Sequence, residues 1–109
     1  MVGAKKTGTV NSTEDISLGP AAGSRVSSWL VQLEADGSWS GTCTPKGAAQ
    51  DSNNTLINLG FKDMNTSAVS TTAPTTDALI LIDSSGVDVV LSFSRSAGTM
   101  TYTAIPLVG

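Results

Sequence analysis

Residues 77–105 read DALILIDSSGVDVVLSFSRSAGTMTYTAI. Apolar runs alternate here with short polar stretches that each hold a glycine. In Val87–Phe93, the residues Val87, Val89, Leu91 and Phe93 fall in one phase, with Asp88, Val90 and Ser92 in the other. In Thr99–Ile105, Met100, Tyr102 and Ala104 alternate with Thr99, Thr101 and Thr103. A period of two marks a strand with one buried face. Ser84-Ser85-Gly86 and Ser94–Gly98 supply the turns, where glycine enters left-handed backbone at no steric cost. Asp77–Asp83 is a further strand and is apolar on both faces. Nothing in this third of the chain has the 3.6-residue period of a helix.

Upstream, Arg25–Glu34 (RVSSWLVQLE) places Trp29, Val31 and Leu33 on one face. Asp36-Gly37 follows, a strong hairpin sequence. Ser38–Thr44 (SWSGTCT) then puts Trp39, Gly41 and Cys43 in one phase. A two-residue turn would set Trp39 opposite Glu34 and on the wrong face. Burying each large apolar side chain is worth about 1.5–3 kcal/mol, more than a turn preference. The expected hairpin therefore pairs Ala35 with Trp39, through a three-residue loop or a bulge at Gly37. Pro45–Asn54 reads as a loop, and Thr55–Phe61 as a strand with Ile57, Leu59 and Phe61 inward. Thr66–Thr76 is Ser/Thr-rich with Pro74, either a mobile loop or an exposed edge strand. Pro106 marks an edge or the end of a ladder. The expected fold is an all-β antiparallel β-sandwich, jelly-roll-like or immunoglobulin-like, of six to eight strands. It is a single domain over residues 25–109, with an N-terminal extended arm over 1–24. In the arm, Lys6–Val10 and Asp15–Leu18 are short β-like pieces. The arm is held either by a partner or neighbouring subunit, or by packing on its own domain.

Composition narrows the chemistry. The 109 residues carry a net charge of −3, with 6 basic residues against 9 acidic, so no basic patch for nucleic acid is expected. Only 14% of residues are charged, and 15 Ser and 14 Thr fill the gap, as suits pleated surfaces and turns. No apolar run approaches a membrane span, and the lysines near the N-terminus lack the apolar stretch of a signal peptide. With no histidine there is no Ser–His triad and the commonest general base is missing. The single cysteine, Cys43, forms no intrachain disulfide or thiolate zinc site, and its phase reads as buried. Asp36, Asp51 and Asp63 lack the spacing of a calcium loop and read as turn residues, as do Asp83 and Asp88. No catalytic, cofactor-binding or metal-binding residues are expected, and the protein reads as non-enzymatic. Trp29 and Trp39 could form a sugar-stacking platform, but they are in phase with Val31, Leu33 and Cys43 and read as core.

The outward phases carry more. Leu30, Ile80, Ile82 and Val90 point away from the inward set if alternation continues, and are the candidate partner-interface residues. A strand apolar on both faces needs a second cover, either a partner surface or the N-terminal arm.

The run Trp29-Leu-Val-Gln-Leu-Glu-Ala-Asp-Gly-Ser-Trp39-Ser-Gly-Thr-Cys43 resembles the opening hairpin of small β-sandwich domains in the virions of tailed bacteriophages. The segments Ile82–Leu91 and Gly98–Ala104 are similar to the ending of the same domains. The stretch after Cys43 lacks the further Asp-Gly and Trp hairpin of that pattern. The resemblance implies a structural, non-enzymatic role on a virus particle. The leading expectation is a capsid decoration or cement protein, bound to the assembled shell through its arm and its apolar outward face. Its partner would be the major capsid protein or another virion protein, and it would be a homo-oligomer, a trimer by analogy with shell symmetry. It would be made in the host cytoplasm and sit on the particle surface. The alternative is a tail or fibre module that grips carbohydrate receptors.

Overall fold

The computed structural model describes residues 5–19, 26–49 and 55–108. They form β1 (Lys6–Val10), β2 (Glu14–Gly19), β3 (Val26–Ala35), β4 (Ser40–Ala49), β5 (Ile57–Asn58), β6 (Phe61–Asp63), β7 (Ala68–Ser70), β8 (Ala78–Asp83), β9 (Val87–Ala97) and β10 (Met100–Val108). One sheet has the order β1-β10-β3-β8-β6-β7 and the other β2-β9-β4-β5. All pairings are antiparallel. The expected all-β antiparallel sandwich is thus the fold. The described residues hold ten strands rather than six to eight, because residues 57–70 break into three short pieces and the N-terminal segment adds two.

Two inner faces make the core. The six-stranded sheet contributes Val10, Trp29, Val31, Leu33, Phe61, Ile80, Ile82, Met100 and Ala104. The four-stranded sheet contributes Leu18, Cys43, Val89, Leu91 and Phe93. The alternations in β3, β9 and β10 thus point inward as their sequences indicate.

The expected hairpin across Asp36-Gly37 does not form. β3 is flanked by β10 and β8, so it has no free edge for β4. β4 pairs instead with β9 in the opposite sheet. Trp29, Val31 and Leu33 line one inner face of the core and Cys43 the other, rather than standing side by side in one sheet. Asp36 through Trp39 turn the corner, where Trp39 N–H donates to the Asp36 carbonyl at 3.2 Å. The Asp36 carboxylate accepts from Thr99 Oγ1 at 2.8 Å and Thr99 N at 3.1 Å, and from Ser38 N at 2.9 Å and Oγ at 3.0 Å. The Thr99 hydroxyl, aided by the other donors, holds this carboxyl below its ordinary range. The bulge falls at Ser40/Gly41, against β9. Ser84-Ser85-Gly86 likewise joins β8 to β9 across the two sheets.

β4 also runs through the segment expected to be a loop from Pro45 onward. Pro45 is buried opposite Leu91, and its carbonyl accepts from Leu59 N at 2.8 Å. In a strand the N and C=O of one residue point to the same side, so the missing N–H of Pro45 faces away from β9 and removes nothing from that ladder. The strand expected over residues 55–61 divides instead. β5 joins the edge of the four-stranded sheet with Ile57 64% exposed, while Phe61 enters the other sheet and is buried. Leu59 is half-buried between them. Of Thr66–Thr76, Ala68–Ser70 form an edge strand. Pro106 pairs with Trp29 of β3 beyond the last β1 partner, Ala104, as expected for the end of a ladder.

The arm is built into the sandwich. β1 hydrogen-bonds to β10 and β2 to β9, one on each sheet. Val10 and Leu18 are core residues. The Lys6 ammonium lies 5.8 Å from the centre of the Trp29 ring and donates to the Leu18 carbonyl at 3.0 Å, tying the two edges together. Of the two alternatives for the arm, residues 6–19 take packing on their own domain.

Candidate interaction surface

Register decides which side chains share the outer face of the six-stranded sheet. Ile82 is opposite Trp29 and Ile80 opposite Val31, and paired residues point the same way. Both isoleucines therefore follow β3 inward, at 0% and 1% exposure. This corrects the expectation that Ile80 and Ile82 face outward. Leu79 and Leu81 take the outer phase instead.

Leu30 is outward as expected. It is flanked by Ile105 of β10 and Leu81 of β8, and Leu81 is flanked in turn by Lys62 and then Val69. One row thus crosses five strands as Ile105, Leu30, Leu81, Lys62, Val69. Leu107, Ser28 and Asp83 form the row on one side, and Thr103, Gln32 and Leu79 the row on the other. Further along, Thr101 and Glu34 continue the face as polar surface. Leu30, Leu81, Ile105 and Leu107 are half-buried, Leu79 is 39% exposed and Val69 is 80% exposed. A cleft of about 520 Å³ opens on this face, with Ser28, Lys62, Val69, Leu81 and Asp83 among its walls. It lies where the chain arrives from the other sheet and enters β6 through Gly60.

Val90 is also outward, but on the opposite side of the molecule. Its neighbours across the four-stranded sheet are Ser17 and Lys46, and beyond Lys46 comes Asn58. The next row holds Asp15, Ser92 and Thr44. The four candidate residues therefore do not form one surface. Leu30 lies on an apolar face, Val90 lies among mostly polar paired residues on the other, and Ile80 and Ile82 are core. Alternation alone missed Leu81 and Ile105, although pairing with Leu30 could have found them.

Trp29 and Phe93 are buried, Phe61 is 5% exposed, and Trp39 and Tyr102 are half-buried against the core. No aromatic ring stands free on the surface for stacking. Burial pushes the Cys43 thiol up to about 12, so it is protonated and unreactive through the neutral range. Among the described residues, no group of three or more His, Cys, Asp and Glu is gathered that could hold a metal ion. Asp36 and Asp63 serve their own turns, Asp63 by accepting from Asn65 N at 2.9 Å. Asp51 lies outside the described residues.

No protein-family model matches this chain, and no curated protein matches it in sequence. Among solved structures, the crystal structure of SPBc2 prophage-derived protein YomS is similar, with a TM-score of 0.67 and 14% identity. The match covers 97% of this chain and 96% of that one. The two chains share one fold from end to end.

Proposed function

We propose that this protein is a phage-encoded, non-enzymatic structural component of the virion, a decoration or cement protein of the particle surface. It works by burying the apolar outer face of its six-stranded sheet against neighbouring subunits. The observation that carries this reading is the inequality of the two outer faces. One bears Leu30, Leu79, Leu81, Ile105 and Leu107 together, while the paired residues of the other are Ser, Thr, Asp, Asn and Lys around Val90 and the small Ala48. A contiguous apolar patch on a small soluble domain marks a contact site. The full-length fold match to a prophage-derived protein supports a phage origin. The reading gives the N-terminal strands a part in the body of the domain rather than a latch to the shell.

A protein that binds only the assembled shell adds its binding energy to that state and raises the shell's resistance to dissociation. Particles of the encoding phage are expected to contain this chain, and particles stripped of it are expected to lose resistance to heat or osmotic shock. Purified particles without the chain would overturn the virion assignment. Unchanged resistance after stripping would overturn cementing.

The carbohydrate-binding alternative is weaker on geometry. It needs exposed rings beside polar partners, and both tryptophans pack against the core.

A further inference from the structure

We infer that the occupant of this apolar face is a second copy of the same chain, related by a two-fold axis. The inference rests on the reading that the face is buried in an assembly, and it names what covers it.

Charge arrangement selects the second copy. Lys62 sits directly across from Leu81, and Asp83 lies two residues further along β8, in the same outward phase. The two opposite charges thus flank one leucine, separated from it by about 5 and about 7 Å along the two lattice directions of a sheet. A two-fold axis lying between stacked faces exchanges such positions. It sets Lys62 of one copy over Asp83 of the other, and Asp83 over Lys62, around a centre of Leu30 and Leu81. Contacts of this kind are self-complementary, as an isologous interface requires. A face shaped for a basic or an acidic partner would carry one sign in place of this paired arrangement.

The size of the face sets the strength. β10, β3 and β8 each offer about 20 Å of outer face and β1 about 17 Å, but β6 and β7 only about 10 Å, so at about 4.8 Å per strand the flat area is on the order of 450–500 Å². That falls below the roughly 800 Å² per partner of a standard stable interface. The pairing is therefore reversible, with dissociation in the micromolar range or above. It calls for a dimer, in place of the trimer expected from shell symmetry.

Sedimentation equilibrium up to about 1 mM chain tests this, a range that reaches dissociation constants worth only about 4 kcal/mol. The wild-type chain is expected to pass from monomer to dimer. Leu81→Asp is expected to weaken association about a hundredfold or more, because a carboxylate replaces the central leucine and engages Lys62 of its own copy across the strands, leaving Asp83 of the other copy unpaired. Its melting temperature should fall far less than that of a core variant, since position 81 lies on the outer face and is only partly buried in the monomer. Lys62→Asp and Asp83→Lys are each expected to weaken the dimer by like-charge contact, and the double variant to recover it. A wild-type chain that is monomeric throughout, one that forms trimers, or a double variant as weak as the singles would overturn the inference. Asp83 also accepts from Ser85 N at 3.0 Å, so melting curves accompany its variants, and Lys62→Asp and Leu81→Asp decide if Asp83→Lys does not fold. Particles lacking the chain would sink the virion reading and leave the dimer standing. A strictly monomeric chain whose face is covered on the particle would sink the dimer alone.

Discussion

Ile80→Asp yields no folded protein. Ile80 is 1% exposed, between Val31 of β3 and Asp63 of β6 in register. Removing the isoleucine costs about 2–5 kcal/mol in lost burial and cavity. Placing an unpaired carboxylate in the core costs a further 3–5 kcal/mol or so. Asp63 as cross-strand neighbour adds a like charge and no relief. The total matches or exceeds the lower part of the roughly 5–15 kcal/mol that holds a domain of this size together. Loss of the cooperative melting transition and of dispersed amide resonances in Ile80→Asp is the expected result. A variant that melts as the wild type does would show that Ile80 is not in the core. Leu81→Asp, one residue away on the other face, provides the internal contrast because it stays folded.

Gly98→Ala is the second large effect, and Gly86→Ala is its control. Both glycines have φ of 74°, a left-handed conformation that costs a residue with a Cβ about 1–2 kcal/mol. At Gly86 an added Cβ meets nothing within 4 Å. At Gly98 it would drive into the backbone of Ser38 and Trp39, where the corner after β3 passes under the turn between β9 and β10. Asp36 ties these same two segments together through Thr99, so neither can move away without breaking those bonds. Overpacking adds about 1–3 kcal/mol to the conformational cost. Chemical denaturation should therefore show Gly98→Ala less stable than Gly86→Ala by about 2 kcal/mol or more. Equal losses at the two sites would mean that the close approach at Gly98 is absent.

The sequence and the structure agree where one strand carries the whole answer. The two-residue periods of β3, β9 and β10 name Trp29, Val31, Leu33, Val89, Leu91, Phe93, Met100 and Ala104 as inward, and those residues are core. Asp77–Asp83 offers no such information, because isoleucine and leucine alternate with each other. Its phase is set by register against Trp29 and Val31, in a strand far earlier in the chain. The corner at Asp36-Gly37 was illegible for a related reason. A hairpin and a crossing between sheets both need a compact turn with Asp and Gly, and only the competition among β4, β8 and β10 for the edges of β3 separates them. That competition is a long-range property, as β10 begins at Met100. The candidate surface was legible in one residue, Leu30. Its extension to Leu81 and Ile105 required the strand order, and Val90 belongs to a face with a different character.

In the proposed assembly the outer face of the six-stranded sheet is covered and that of the four-stranded sheet is not. Hydroxyl-radical footprinting of particle-bound protein, compared with the isolated Leu81→Asp chain, distinguishes the two faces. The expected result is protection of Leu30, Leu79 and Ile105 on the particle, with Val90 labelled as in the isolated chain. Equal labelling of Leu30, Leu79 and Ile105 in the two states, or protection confined to Val90 and its surroundings, would contradict it.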